Sequence, residues 1–257
     1  MAEDQNQGQE LQWKKFEYVG TVINKVEYSH TILCLDPLPQ PSTIFVFLGE
    51  GNFTFSTAFA KLRGSNYDEI VATDISVSKE IKDGWPRRLR LDATKMGETR
   101  NVFLEKLFLD QKPSRIVLWF QCPWADKDEN GRKYSNQQAF LKKVMAAAAK
   151  VQDPGELLLI GLCVDPTLPK NKPTEEKWVT SYGNPKAVAA QNGYECLGAD
   201  REFVGKMLDG GYEHQFTDPG LNFGKRKILK ENRQFATLLF KRQQLHPAQG
   251  PHQTQDP

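Results

Sequence analysis

Short apolar segments that could each form a buried strand recur along the chain, and segments with helical spacing separate most of them. The segment IFVFLG at 44–49 is apolar up to its glycine, as in strands buried on both faces of a parallel sheet. Strands that alternate with helices over this length predict a Rossmann-like, doubly wound and mostly parallel α/β fold. Seven strands are predicted, at 44–49, 69–74, 89–94, 115–120, 156–162, 194–197 and 234–241. Four helices are predicted, at 53–62, 98–109, 136–151 and 185–193.

Length and composition predict one globular domain with extensions at both ends. The chain has 257 residues, 39% of them hydrophobic and 26% charged, which suffices for one substantial core. We expect the α/β domain at 43–242 and a β-hairpin extension with a linker at 13–42. The polar segments 1–12 and 243–257 cannot bury apolar surface, so we expect both to be disordered.

Charge and targeting signals exclude several classes of protein. The formal net charge of +2 is small for a protein that wraps nucleic acid, so any such binding requires a local basic patch. A signal peptide and a membrane span are both missing from the pattern, and we expect a soluble intracellular protein of the nucleus, nucleolus or cytoplasm. The four cysteines are scattered without a C-x-x-C pair, so we expect no metal site and no disulfide framework.

The first predicted strand runs into a glycine-rich turn, Gly49-Glu50-Gly51-Asn52-Phe53. Glycines at such a turn allow the backbone to approach a ligand closely, and the next helix offers free N–H groups. The third glycine of the dinucleotide fingerprint is replaced by a threonine, so NAD is disfavoured. The turn predicts a cofactor-binding loop, with a tight strand-to-helix connection as the alternative.

Carboxylates follow the next two predicted strands. Asp74 ends the second strand, where an acidic side chain could hold ribose hydroxyls. Asp92 ends the third and could bind the exocyclic amine of an adenine, while Ala93 leaves room for the ring. The alternative for each aspartate is an Asx turn or a helix cap, with Ser76 and Thr94 as the local partners.

The fourth strand ends in a turn made of Phe120, Gln121, Cys122, Pro123 and Trp124. Its position places Phe120 beside the cofactor, and Gln121, Pro123 and Trp124 where a substrate would react. A proline stiffens the turn, an amide or a backbone carbonyl can accept a hydrogen bond from a planar nitrogen, and an indole can stack on a base. The arrangement resembles that of methyltransferases that act on planar nitrogens, and this resemblance implies methyl transfer to such a nitrogen. The alternative is a structural turn whose indole closes the end of the sheet.

Collinear motifs give the chain a resemblance to the uridine ribosomal RNA methyltransferase-like family. FLGEGNFTFS at 47–56 is similar to the family's GEG(N/D)FSFS segment, and ATD, DAT, FQCPW and GGYEHQFTDPG follow in the family's order. The resemblance covers 43–241 and implies a class I methyltransferase fold, S-adenosylmethionine as methyl donor and a ring nitrogen of uridine in RNA, in particular rRNA, as acceptor. Gln121 and Trp124 stand where the family has asparagine and histidine, which leaves the target base open.

Basic residues near the end of the domain could hold RNA phosphates. His214 lies in the GGYEHQFTDPG motif, and the run that follows contains Lys225, Arg226, Lys227 and Lys230. The alternatives are a structural histidine and a solvated basic face.

Three functions therefore compete at this stage. The first is an S-adenosylmethionine-dependent RNA-base methyltransferase. The second is a methyltransferase of a protein or a small molecule, which the turn after the fourth strand would also serve. The third is a non-catalytic module that keeps the fold for binding.

Overall fold

A computed structural model describes the segments that carry the predicted strands and helices. The described residues are 14–16, 30–32, 43–63, 68–77, 80–81, 86–109, 113, 115–123, 137–163, 183–200, 203–213 and 235–244. The strands are β1 (Lys14–Phe16), β2 (His30–Ile32), β3 (Thr43–Leu48), β4 (Asp68–Asp74), β5 (Arg87–Arg90), β6 (Arg115–Gln121), β7 (Leu157–Cys163), β8 (Tyr194–Asp200) and β9 (Phe235–Arg242). The helices are α1 (Thr54–Arg63), α2 (Arg100–Lys106), α3 (Gln137–Val151), α4 (Pro185–Gln191) and α5 (Phe203–Asp209).

Within the described segments the strands form one sheet in the order β1-β2-β8-β9-β7-β6-β3-β4-β5. The seven predicted strands are β3 to β9, which confirms the doubly wound α/β fold. Pairing is parallel from β5 to β7, whereas β9 runs antiparallel to both β7 and β8. Strands β1 and β2 pair antiparallel, and β2 joins the β8 edge through His30 and Ala199.

Both faces of the central strands are buried, and successive side chains alternate between two apolar layers. In β3, Ile44, Val46 and Leu48 enter the layer that α2, α3 and α4 cover. Phe45 and Phe47 enter the layer that α1 and α5 cover. The sheet therefore lies between two helical layers, which leave the two ends of its strands uncovered.

Two elements differ from the sequence-based expectations. The third predicted strand ends at Arg90, so Asp92 lies in the turn that follows instead of in the strand. Helix α5 was not predicted, because it has only seven residues and contains Gly205, which lowers the helix propensity.

Candidate active site

The candidate site lies at the carboxyl ends of four neighbouring parallel strands, β5, β4, β3 and β6. The chain passes from β3 to β4 on one side and returns to β6 on the other, so the strand order reverses between β3 and β6. Ligands of doubly wound sheets bind at this switch point. The glycine-rich loop follows β3, Asp74 ends β4 and Gln121 ends β6, so three of the predicted motifs share this edge.

The loop after β3 alternates in and out of the left-handed conformation. Gly49, Gly51 and Phe53 have φ angles of +63°, +61° and +59°. A Cβ on Gly49 would lie 2.5 Å from the Phe120 ring, whereas nothing in the described part of the chain lies within 4 Å of the corresponding point on Gly51. Gly49 therefore permits packing on β6, and Gly51 leaves open space through which a ligand can reach the backbone.

Both oxygens of the Asp74 carboxylate accept hydrogen bonds from backbone amides. Oδ2 accepts a 3.0 Å hydrogen bond from the amide of Gly51. Oδ1 accepts a 2.7 Å bond from the amide of Ser76 and another from the Ser76 hydroxyl. The Asx turn is thus present, and the bond to Gly51 adds a link between the β4 end and the loop. Since a carboxylate oxygen has two acceptor sites, Oδ2 can still accept one bond from a ligand.

Asp92 forms a similar turn beyond β5. Its Oδ1 accepts hydrogen bonds of 2.8 Å and 2.7 Å from the amide and hydroxyl of Thr94. No hydrogen bond from the described part of the chain reaches Oδ2. The amide of Leu91 donates to the carbonyl of Asp74 at 3.3 Å, which holds this turn beside the end of β4, and Ala93 is buried behind it.

Glu50 is a half-buried carboxyl group at the start of α1. Its Oε2 accepts a 3.0 Å bond from the amide of Ser56, one of the free N–H groups of the first helical turn. Burial is the main cause that raises the pKa of Glu50 from 4.5 to about 7; the Ser56 hydrogen bonds oppose the rise, the Asp74 charge adds to it and the Arg88 charge opposes it. The Arg88 guanidinium also lies 5.2 Å from the centre of the Phe53 ring, so it covers the loop from the side of β5.

At the end of β6 the Phe120 ring packs on Gly49, and Gln121 turns its side chain toward β7. Its Oε1 accepts a 3.2 Å bond from the indole N–H of Trp119, and its Nε2 lies 3.5 Å from the Cys122 sulfur. Cys122 itself has a φ of +52°, an unusual conformation for a non-glycine residue, which turns the chain sharply after the strand. Pro123, buried, ends this described segment.

A contact that the sequence did not predict joins the loop to the chain after α5. The Asn52 side-chain amide donates to the carbonyl of Glu213 at 3.0 Å. The Thr54 hydroxyl lies 3.1 Å from both the carbonyl and the amide of Glu213, and it accepts from that amide. Tyr212 packs edge-on against Phe55, with ring centres 4.9 Å apart. The GEGNFT and GGYE segments, far apart in sequence, therefore meet.

Several predicted site residues lie outside the described residues. They are Trp124, His214, Lys225, Arg226, Lys227 and Lys230. Among the residues that the structure does describe, no cluster of histidine, cysteine, aspartate or glutamate could hold a metal ion. In the same residues, no helix is both long and apolar enough to cross a membrane.

The groups at the carboxyl ends of these strands fit the adenosyl part of S-adenosylmethionine. Among the described residues, the space beside the Gly51 backbone, the second acceptor site of Asp74 Oδ2 and the Oδ2 of Asp92 could receive a ribose and an adenine. Residues 46–215 match the family of rRNA (uridine-N3-)-methyltransferase BTM5-like proteins. The chain belongs to this family. It is therefore an S-adenosylmethionine-dependent methyltransferase, and the segment that matches the BTM5-like family contains the loop, both aspartates and the turn after β6.

Solved structures of other methyltransferases are only distantly similar. The 16S rRNA methyltransferase KamB is 14% identical, with 79% of this chain and 88% of that chain covered and a TM-score of 0.44. Geranyl diphosphate C-methyltransferase from Streptomyces coelicolor A3(2) is 12% identical, with 81% and 74% covered and a TM-score of 0.43. No curated protein sequence matches this BTM5-like chain. The fold assignment rests on the strand order described above.

Proposed function

We propose that this enzyme transfers a methyl group from S-adenosylmethionine to N3 of a uridine in ribosomal RNA. The observation that carries the proposal is the family match over 46–215, which includes the whole described site. S-Adenosylmethionine supplies an electrophilic methyl group on a sulfonium, so the protein's contribution is mainly to position the base and exclude water. The imide proton of uridine must also leave before or during transfer.

On this proposal the donor is bound by the loop and by the ends of β4 and β5. Gly51 allows close approach, Oδ2 of Asp74 accepts a bond from one ribose hydroxyl, and Oδ2 of Asp92 accepts from the adenine amine. Ile75, which the sequence analysis did not single out, directly follows Asp74 and is 43% exposed. An exposed apolar side chain at that point offers a surface for the adenine ring beside Ala93.

The other loop residues support the donor site through the loop itself. Glu50 holds the amide of Ser56, Asn52 holds the carbonyl of Glu213, and Phe53 lies under the Arg88 guanidinium. Each of these contacts stabilises a loop in which three residues have positive φ angles. These residues are therefore proposed to shape the donor site instead of touching the reacting atoms.

The substrate side is proposed to consist of Gln121, Pro123 and Trp124. Pro123 stiffens the turn, and Trp124 supplies a ring on which a flipped base can stack. His214 and the basic residues Lys225, Arg226, Lys227 and Lys230 are proposed to hold RNA phosphates.

A nucleoside comparison tests the proposal. Ribosomal RNA from cells that lack the protein is incubated with the purified protein and S-adenosylmethionine, digested and analysed by mass spectrometry. We expect 3-methyluridine to form with the wild-type protein and much less of it with Asp74→Ala at the same S-adenosylmethionine concentration. Methylation of a protein or a small molecule in place of RNA would support the second function considered above. Donor binding without any methylated product would support the binding module.

A further inference from the structure

The side chain of Gln121 lies flat against the neighbouring strand β7. Gln121 pairs with Gly161 in the parallel β6–β7 register. A Cβ on Gly161 would overlap Oε1 of Gln121 and would lie 2.9 Å from its Nε2. The amide therefore occupies the space that any larger residue at 161 would fill. Gly161 is required for the observed position of the Gln121 side chain.

Trp119 determines which end of this amide points inward. Its indole N–H can only donate, so the atom it meets at 3.2 Å must be the amide oxygen. The indole cannot easily turn, because the Phe47 and Phe55 rings lie 5.8 Å and 5.1 Å from it and the side chain is fully buried. An amide flipped by 180° would set the indole N–H against the NH₂ group of Gln121.

The outward end of the Gln121 amide is consequently the NH₂ group. Among the described residues its hydrogen-bond partner is the Cys122 sulfur at 3.5 Å, which is a weak acceptor. At least one of the two Nε2 protons therefore remains for a ligand at the carboxyl end of β6. This end of the amide donates hydrogen bonds and cannot accept them.

We infer that Gln121 selects the target base by donating a hydrogen bond to a carbonyl oxygen beside the methylated nitrogen, with Trp119 and Gly161 as the residues that orient it. The inference rests on the proposed function. It reverses the direction of the hydrogen bond expected from the sequence, in which the amide accepted from the target N–H. N3 of uracil lies between two carbonyl groups, so a donor suits it. At N3 of cytosine and N1 of adenine an exocyclic amine replaces one of these carbonyl groups and would set a donor against a donor.

Two variants test the direction of this bond. Gln121→Glu keeps an oxygen for Trp119 but replaces the donating NH₂ group by a second oxygen. We expect its turnover on ribosomal RNA to fall about tenfold or more. Its affinity for S-adenosylmethionine, measured by calorimetry, should stay within about twofold of the wild-type value. Trp119→Phe removes the indole N–H and frees the amide to flip. We expect it to lower the yield of 3-methyluridine and to allow methylated cytidine or adenosine to form.

A matched control separates this effect from the general cost of placing a carboxylate in the core. Gln152 is also buried, and its Nε2 donates to the carbonyls of Ile116 and Leu157 at the opposite edge of the sheet. Gln152→Glu should lower the melting temperature without changing donor affinity or the nucleosides produced by the folded fraction.

Modified substrates test the same bond without altering the protein, which avoids any loss of folding in Trp119→Phe. Transcripts of the target RNA region carry 4-thiouridine or 2-thiouridine in place of uridine, since sulfur is a weaker acceptor than oxygen. We expect the wild-type turnover to be severalfold lower on one of the two thiolated transcripts than on the uridine transcript. The turnover of Gln121→Glu should differ little between that thiolated transcript and the uridine transcript.

The outcomes distinguish this inference from the proposed function. Unchanged turnover of Gln121→Glu, or equal wild-type turnover on both thiolated transcripts and the uridine transcript, would overturn the role of Gln121 and leave uridine methylation standing. Formation of a methylated exocyclic amine by the wild-type protein would overturn both the inference and the uridine assignment, but not RNA methylation. If the protein binds S-adenosylmethionine but forms no methylated RNA, then the role of Gln121, the uridine assignment and RNA methylation are all overturned.

Discussion

The amide of Gly51 donates a 3.0 Å hydrogen bond to Oδ2 of Asp74, which joins the loop after β3 to the end of β4. The same carboxylate holds the Ser76 turn through Oδ1. One side chain therefore maintains the loop conformation and, on the proposed function, also contacts the ribose. Removal of this side chain should therefore both loosen the loop and remove the proposed contact with the ribose.

Asp74→Ala should weaken S-adenosylmethionine binding by roughly 1.5–3 kcal/mol, because charge-assisted hydrogen bonds of that size are lost. Calorimetry with the purified protein measures the change. Ser76→Ala is the matched control, since it removes one hydroxyl contact of Asp74 but leaves the bond to Gly51. Unchanged donor affinity in a folded Asp74→Ala protein would show that the carboxylate acts only as a turn.

The two loop glycines should respond differently to substitution. Gly49→Ala must move the Phe120 ring as well as hold a positive φ, so it should lose more stability than Gly51→Ala. Gly51→Ala should lower the free energy of unfolding only by the cost of its φ of +61°, roughly 1–2 kcal/mol. Gly51→Val should in addition fill the open space and abolish donor binding in a protein that still folds. Thermal melts and donor titrations measure both effects, and equal stability of the two alanine variants would contradict the assignment.

Glu50→Gln should stabilise the protein at neutral and alkaline pH. The folded protein keeps the Glu50 proton up to about pH 7, whereas the unfolded chain releases it near the ordinary pKa of 4.5. The unfolding free energy therefore falls as pH rises from 4.5 through 7. Glutamine cannot ionise and can still accept from the Ser56 amide, so its advantage should reach about 1–3 kcal/mol above pH 7. Denaturant melts from pH 4.5 to pH 8.5 should show the advantage vanish at the acidic end; a constant difference across that range would refute the cause.

Thr54→Val should loosen the contact between the loop and Glu213. The variant loses the hydroxyl that accepts from the Glu213 amide, so we expect about 1–2 kcal/mol less stability and weaker donor binding. Thr54→Ser should restore both. Thr57→Val makes the same chemical change one turn further along α1, where the hydroxyl donates to the carbonyl of Phe53, the residue before the helix, and not to Glu213. Equal effects of the two valine variants on donor affinity would argue against a special role of the Glu213 contact.

Trp124→Ala tests the stacking role proposed for the turn after β6. If the indole holds the target base, turnover should fall by roughly one to two orders of magnitude, since about 1–3 kcal/mol of stacking is lost, while donor affinity stays nearly constant. Steady-state assays and donor titrations on the same preparation separate these quantities. A markedly lower melting temperature with normal specific activity of the folded fraction would assign Trp124 to packing instead.

The positions of the strands and of the glycine-rich loop after β3 could be predicted because local patterns encode them. Continuous apolar runs such as 44–49 specify strands buried on two faces, and glycines directly after such a run specify a tight turn. The carboxyl ends of parallel strands meet at one edge, so Asp74 and Gln121 could be placed at the same edge before any contact was known. Helix α5 escaped prediction because seven residues, one of them a glycine, are too few to show a helical periodicity.

The sequence by itself therefore determined the α/β alternation, the family and the glycine-rich loop after β3, since these depend on residues close together in the chain. Only the tertiary structure decided what each side chain faces. Trp119, two residues before Gln121, lies on the same side of β6 and presents its N–H to the amide, while β7 supplies the glycine against which the amide packs. Thr54 meets Glu213 across 159 positions of sequence. Such contacts follow from strand register and helix packing over long separations, and no local pattern specifies the direction in which an amide will donate.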